Sequence, residues 1–138
     1  MIATRASATG VPGYSETLPC EAESASEARR LVRAALNTWD LSSLTDNGVL
    51  VVSELVTNSV QHSRCSTLRV SVERRSENRV RVAVSDRSRR MPVPDAPEAK
   101  ATSGRGLVIV EALADDWNVD RRRWGKVVWA ELVNEVST

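Results

Sequence analysis

The chain has 138 residues, a formal net charge of +1 and hydrophobic residues at 41%. This length favours a single domain that can bury a core without disulfide or metal staples. The near-neutral charge argues against a nucleic-acid-binding protein, because phosphate contacts need a basic face, and it gives no strong attraction to an anionic membrane.

Two further features of the sequence concern the cellular location of the protein. No apolar run approaches the roughly 20 residues of a transmembrane helix, and the N-terminus lacks the apolar segment of a signal peptide. The two cysteines, Cys20 and Cys65, form neither a disulfide framework nor a metal-ligand spacing. We therefore expect reduced thiols, a cytoplasmic location and no membrane association.

The first predicted elements follow an N-terminal tail. Residues 1–14 are rich in Ala, Thr, Ser and Gly and are expected to be flexible, which leaves residues 15–138 as the domain. A short strand is predicted over residues 15–20. A helix follows over residues 23–37, where apolar residues recur at helical spacing and Ser24 or Ser26 can provide the cap.

A second helix is predicted over residues 45–61. Its apolar stripe consists of Val49, Val52, Val56 and Val60. A separate line of polar residues occurs once per turn, at Glu54, Asn58 and His62. An amide oxygen suits Mg²⁺, and a carboxylate one turn earlier could act as a general base. A solvated polar face is an equally good interpretation, and for His62 a helix C-cap is favoured over a phosphate or substrate contact.

Residues 67–74 and 79–86 are predicted to form paired strands, because apolar and polar residues alternate in both. Asp86 has the parity of the apolar positions, so its carboxylate should point to the buried face and needs a partner there. It could accept a hydrogen bond from an exocyclic amine such as that of adenine. A carboxylate that only starts a turn is the favoured alternative when Asp86 is considered alone.

The last third of the chain begins with a proline-containing loop over residues 87–103. Glycines at Gly104 and Gly106 then precede a helix over residues 107–114, and such a helix start favours an anion. Two strands are predicted at residues 116–120 and 126–133. This order of elements predicts an α+β fold, with a mixed, mostly antiparallel sheet and helices on one face.

Four of these segments together resemble the nucleotide-binding motifs of the GHKL ATPase superfamily, over roughly residues 15–133. They are Ser53-Glu54-Leu55-Val56-Thr57-Asn58 through His62, Val84-Ser85-Asp86, Gly104-Arg105-Gly106-Leu107 and Gly125-Lys126-Val127-Val128-Trp129-Ala130-Glu131-Leu132. The chain is most similar to small actinobacterial histidine-kinase-like proteins related to anti-sigma-factor serine kinases. The resemblance implies a Bergerat-type two-layer α/β sandwich.

The resemblance also implies a role for each matched residue. Glu54 would be the catalytic base, Asn58 would hold Mg²⁺, and Asp86 would bind the adenine amine. The 87–103 loop would be an ATP lid. The remaining residues expected to contact the cofactor are His62, Ser88, Gly104, Arg105, Gly106 and Leu107.

The implied function is an ATP-binding regulator of a sigma factor, of an anti-sigma-factor antagonist or of both. An active protein would phosphorylate a serine of the antagonist, and the partner surface could also form a homodimer. Two departures favour an alternative, a catalytically inactive partner-binding module with weak or no ATP binding. Ser88 stands where the family usually has glycine, and Val127 stands where it often has a threonine that helps to bind adenine.

Overall fold

The structure is a computed structural model that describes residues 5–6, 12–63, 65–87 and 106–135. The strands are β1 (Arg5–Ala6), β2 (Gly13–Pro19), β3 (Thr67–Ser76), β4 (Arg79–Asp86), β5 (Asp116–Arg122) and β6 (Gly125–Val133). The helices are α1 (Ser24–Thr38), α2 (Thr45–His62) and α3 (Gly106–Leu113), with a short 3-10 helix at Ser42–Leu44. Every element that the sequence predicted is present, with bounds that differ by two residues at most.

The six strands form one sheet in the order β1-β2-β3-β4-β6-β5, and every pairing among the described strands is antiparallel. The helices cover one face, which we call the inner face, and α2 packs against α1, α3, β4 and β6. The predicted α+β sandwich is confirmed. The sheet and the helices enclose a core of Leu, Val and Ala side chains, as the shortage of aromatic residues required.

The predicted apolar stripe of α2 is partly wrong. Val52 and Val56 are fully buried, but Val49 and Val60 are only half-buried. Val51 and Leu55 take core positions instead, with no exposed surface. The physical reason is that α2 lies between two other helices and the sheet, so it buries a wider arc than a single stripe.

The start of α1 also differs from its prediction, because neither Ser24 nor Ser26 caps the helix. The Ser24 hydroxyl donates to the carbonyl of Pro19 at 2.6 Å, which ties α1 to the end of β2. Ser26 accepts a hydrogen bond from Arg29. Both serines are therefore used in tertiary or side-chain contacts, and the side chain of Glu23, at the helix start, makes no capping hydrogen bond.

The expectation of two reduced, unpaired cysteines is wrong. Cys20 and Cys65 form a disulfide with a Cα–Cα distance of 5.9 Å across a sequence separation of 45. The fold brings them together because β2 pairs with β3, which places Pro19 opposite Thr67. The Cys20 amide also donates to the carbonyl of Ser66 at 3.0 Å.

The N-terminal segment that the sequence predicted as a flexible tail contains β1 and the first residues of β2. Gly13 lies close to the backbone of β3, since an added Cβ would come within 2.8 Å of the carbonyl oxygen of Val72. Residues 1–4 and 7–11 lie outside the described part of the chain. Within the described part, no helix is long and apolar enough to cross a membrane.

Candidate functional site

The site is centred on the carboxylate of Asp86 at the end of β4. As the strand parity predicted, this residue faces the inner side, and only 2% of its surface is exposed. The Ser59 hydroxyl donates to Oδ2 at 3.0 Å, and the Ser63 hydroxyl donates to Oδ1 at 2.8 Å. Each carboxylate oxygen therefore has one donor and keeps capacity to accept from a ligand.

Both hydroxyls come from one place because Ser59 and Ser63 are four residues apart. Ser59 lies in the last turn of α2, and Ser63 follows the last residue of that helix. The Ser63 amide donates to the Ser59 carbonyl at 2.9 Å, so the helix end fixes the spacing of the two hydroxyls. The disulfide at Cys65 holds the chain two residues further on.

Lys126 contributes a cation to the same pocket. Its Nζ lies 3.9 Å from Oδ2 of Asp86, which is an ion pair but too long for a hydrogen bond. The Lys126 side chain is 17% exposed and that of Asp86 is fully buried. The carboxylate thus has two neutral donors in contact and one positive charge further away.

The expected position of Val127 in this site is wrong. Val127 pairs with Ser85 of β4 and Asp120 of β5, and it alternates with the fully buried Val128. Its side chain therefore lies on the outer face of the sheet, away from Asp86. Lys126 has the parity of Val128 and takes the inner position. The valine consequently gives no reason to expect a damaged pocket.

Gly125 explains how β6 starts so close to Asp86. A Cβ at Gly125 would overlap the carbonyl oxygen of Asp86 and lie 3.0 Å from the Cα of Arg87. The residue also has φ +156°, which other residues rarely adopt. Only glycine allows the two strand ends to meet here, and this contact places Lys126 beside the carboxylate.

The polar line of α2 lies on the same helix as the two serines. Glu54 is half-buried, Asn58 is only 6% exposed, and His62 is exposed as the last helical residue. A merely solvated polar face does not describe Asn58, because its side chain is removed from solvent. Asn58 and Asp86 are therefore both buried, whereas His62 is exposed.

The amide of Asn58 and the carboxylate of Glu54 suit a Mg²⁺ ion in donor chemistry, since both offer hard oxygen ligands. Within the described ranges, no group of three or more His, Cys, Asp or Glu residues could hold a metal by itself. Mg²⁺ does not require such a group, because it usually keeps several waters and bridges phosphate oxygens. The residues present fit a metal that arrives with a phosphate ligand.

The glycine-containing motif is only partly described. Ser88, Gly104 and Arg105, with most of the expected lid, lie outside the described residues. Gly106 begins α3, and Leu107 packs into the core with 3% of its surface exposed. The Leu107 side chain therefore does not face a ligand, and only its backbone could serve one. Because α3 packs against α2, Gly106 begins a helix that neighbours the helix of Glu54 and Asn58.

Sequence reasoning missed Ser59, Ser63 and Lys126. The need for a partner to Asp86 was recognised, but nothing local connects it with hydroxyls 27 and 23 residues earlier. Two serines at i and i+4 near a helix end are a weak pattern on their own. Lys126 could have been found by counting parity back from the apolar positions of β6.

Comparisons with known proteins identify the family and the fold of the chain. The sequence profile of the histidine kinase-like ATPase domain matches residues 18–132. The crystal structure of the RsbU and RsbW domains of Rv1364c from Mycobacterium tuberculosis matches 88% of this chain, with a TM-score of 0.62 at 21% identity. A histidine kinase domain from a blue-light activated histidine kinase of Erythrobacter litoralis matches 83% of the chain, with a TM-score of 0.49 at 25% identity.

The chain spans 32% of the length of the mycobacterial structure and 61% of that of the histidine kinase domain. The mycobacterial match supports the fold. Among curated proteins, none matches this chain.

Proposed function

Because the chain belongs to the histidine kinase-like ATPase domain family, we propose that it binds ATP with Mg²⁺ at the Asp86 site and regulates a partner protein. The observation that carries this proposal is the state of the Asp86 carboxylate. It is buried, and two hydroxyls hold it in place without using all of its acceptor capacity.

At the end of the site that binds the nucleobase, Asp86 accepts a hydrogen bond from the exocyclic amine of adenine. A carboxylate that is already oriented by Ser59 and Ser63 loses little freedom when the base binds. A base without this amine leaves the buried carboxylate without its ligand donor, which costs binding free energy. Asp86 therefore favours adenine over bases that present an acceptor in the same place.

At the phosphate end, Asn58 would hold Mg²⁺, with Glu54 one turn away on the same helix. When bound, Mg²⁺ neutralises charge on the phosphate oxygens. The backbone amides of Gly104, Arg105 and Gly106 would contact the phosphates, and Gly106 begins α3, where a helix N-terminus favours an anion. Glu54 would accept the proton of the serine hydroxyl of a bound partner as its oxygen bonds the γ-phosphorus and ADP leaves, which would make the protein a serine/threonine kinase.

The partner that we propose is a sigma factor, an anti-sigma-factor antagonist or both, and the substrate is a serine of the antagonist. Support comes from the resemblance to anti-sigma-factor serine kinases and from the structural match to a chain with an RsbW domain. A homodimer is compatible with the same proposal. Such a partner implies a cytoplasmic location, where the Cys20–Cys65 disulfide would be exposed to reducing agents.

A partner-binding module without catalysis is the second candidate. The glycine-to-serine departure at Ser88 favours it, while the outer-face position of Val127 removes the other ground for it. A pull-down of the cognate partner with and without ATP separates the two candidates. A kinase changes its partner affinity with ATP and labels the partner with γ-phosphate, whereas a nucleotide-free module does neither.

Two variants test whether Asn58 holds Mg²⁺ and whether Glu54 is the catalytic base. Asn58→Ala should lose Mg²⁺-dependent ATP binding, and Glu54→Ala should retain ATP but abolish phosphotransfer to the partner. Asn47→Ala is the matched control, because Asn47 is an exposed asparagine near the start of the same helix. Normal transfer by Glu54→Ala would show that Glu54 is not the base, and equal Mg²⁺ dependence in both asparagine variants would refute the metal assignment.

A further inference from the structure

Lys126 lies at the nucleobase end of the site, beside Asp86, and has no part in the roles proposed above. Its ammonium is 3.9 Å from Oδ2 of Asp86, and its side chain is 17% exposed. Within the described part of the chain, its ammonium makes this ion pair and no hydrogen bond. An ammonium has three donors, and a largely buried one loses free energy when they lack acceptors.

The position of Lys126 is fixed by the backbone. It pairs with Asp86 across β4 and β6, and both side chains lie on the inner face. Gly125, immediately before it, presses the start of β6 against the backbone of Asp86 and Arg87. The sheet register therefore holds the backbone of Lys126 beside that of Asp86, and its ammonium lies within ion-pair distance of the carboxylate.

We propose that Lys126 is a second base-reading residue, which donates a hydrogen bond to the N1 atom of the adenine whose amine binds Asp86. The Watson–Crick edge of adenine presents a donor, the amine, next to an acceptor, N1. A carboxylate acceptor next to an ammonium donor is the complement of that edge. This inference rests on the proposed ATP site and specifies how that site recognises its base.

The pair explains discrimination against 6-oxopurines. Guanine and hypoxanthine present an oxygen in place of the amine and an N1–H donor in place of the acceptor. In the same orientation the oxygen would face the Asp86 carboxylate, and the N1–H would face the Lys126 ammonium. Both contacts are repulsive or unpaired, and a site of buried polar groups rejects such analogues strongly.

The test is calorimetric titration of the full chain with ATP and with 1-deaza-ATP, in which a C–H group replaces N1. The wild type should bind ATP about 10-fold more tightly than 1-deaza-ATP, as expected for loss of a hydrogen bond to a charged donor. Lys126→Met should bind ATP about 10-fold more weakly and should no longer distinguish the two nucleotides.

Arg122→Met is the matched control, because Arg122 is an exposed cation at the same end of the sheet, engaged with Asp120. It should keep the preference of the wild type for ATP. A Lys126→Met protein with the wild-type preference would overturn the inference while leaving the ATP site intact.

Two further outcomes keep the tests distinct. If Lys126→Met does not fold, the wild type alone decides, since equal binding of ATP and 1-deaza-ATP overturns the inference. If the wild type binds neither nucleotide, the proposed ATP-binding function fails, and the inference fails with it.

Discussion

The two buried carboxylates of the sheet, Asp86 and Glu131, lie on neighbouring strands but serve different purposes. Asp86 is 2% exposed on the inner face of β4, and Glu131 is 7% exposed on β6. Glu131 accepts hydrogen bonds from Arg79 at 2.6 Å and from Arg81 at 2.9 Å, and Arg75 lies 4.0 Å away. Asp86 accepts hydrogen bonds from two hydroxyls, and Lys126 lies 3.9 Å away.

The protonation of Glu131 reflects its partners. Burial raises the pKa of Glu131, but the hydrogen bonds and positive charges of Arg81 and Arg79 outweigh it and place the pKa below its ordinary value. Arg81 also lies 4.0 Å from the ring centroid of Trp129, which fixes the guanidinium further. The acceptor capacity of Glu131 is used within the sheet, so this carboxylate is structural.

The difference teaches that burial alone does not identify a binding carboxylate. Two arginines use the acceptor capacity of Glu131 by direct hydrogen bonds, whereas Asp86 is oriented by two hydroxyls, has one cation at 3.9 Å and keeps room for another donor. The following predictions test whether Glu131 contributes to stability and Asp86 to ligand binding.

The largest expected effect concerns the disulfide that holds the chain next to Ser63. Closing a loop across a separation of 45 residues should stabilise the fold by about 4 kcal/mol through the unfolded state. Urea unfolding of oxidised protein and of protein in dithiothreitol measures this difference. A double Cys20→Ala, Cys65→Ala variant should not respond to the reductant, and identical midpoints for oxidised and reduced wild type would contradict the bond.

The next effect should come from Asp86→Asn, which replaces one carboxylate oxygen by an amide donor. We expect ATP affinity to fall about 100-fold, equivalent to about 2.7 kcal/mol, because the adenine amine then meets a donor. Calorimetric titration with ATP measures the change, and the melting temperature of the free protein serves as the folding control. Wild-type affinity in this variant would place the nucleotide elsewhere.

Glu131→Gln should show the opposite pattern, with ATP affinity unchanged and the free energy of unfolding lowered by about 1–2 kcal/mol. The size is modest because the side chains of Arg79 and Arg81 are 41% and 27% exposed. Chemical denaturation measures the loss. A weakened ATP affinity together with unchanged stability would show that Glu131 serves ligand binding and not stability.

The same variant has a pH signature. A pKa lowered in the folded state stabilises the protein above the ordinary pKa of about 4.5 and loses that contribution as the pH falls through the folded value. The wild type should therefore lose more stability than Glu131→Gln below pH 4.5. Parallel unfolding curves for both proteins across this range would contradict the assigned pKa direction.

The smallest effects should come from the hydroxyls that orient Asp86. Ser63→Ala and Ser59→Ala each remove one hydrogen bond, and each should reduce ATP affinity by a factor of about five, or about 1 kcal/mol. Ser53→Ala is a control on the same helix, since its hydroxyl bonds the Val49 carbonyl instead. Equal affinities for all three variants would show that Asp86 does not depend on these hydroxyls.

The sequence was sufficient for the element bounds because alternation in β3 and β4 and helical spacing in α1 are local patterns. It also placed Asp86 on the inner face, since parity along one strand is a local property. It could not reveal the Cys20–Cys65 bond, which depends on how β2 pairs with β3. Nor could it find Ser59 and Ser63, because packing of α2 over β4 determines that contact.

The misplacement of Val127 has a related cause. The motif predicts that Val127 lies in the adenine pocket, but its orientation depends on strand parity and on the start of β6 at Gly125. By parity, the inner position beside Asp86 belongs to Lys126 and not to Val127. The roles of Glu54, Asn58 and the glycine motif remain predictions.

The most direct test of the whole account is a calorimetric titration of the full chain with ATP in the presence of Mg²⁺. The proposed ATP site predicts saturable one-site binding, which raises the melting temperature and weakens when Mg²⁺ is chelated. A hundredfold excess of ATP over the Kd should stabilise the protein by about 2.7 kcal/mol. No heat and no change in melting temperature at millimolar ATP would contradict the account.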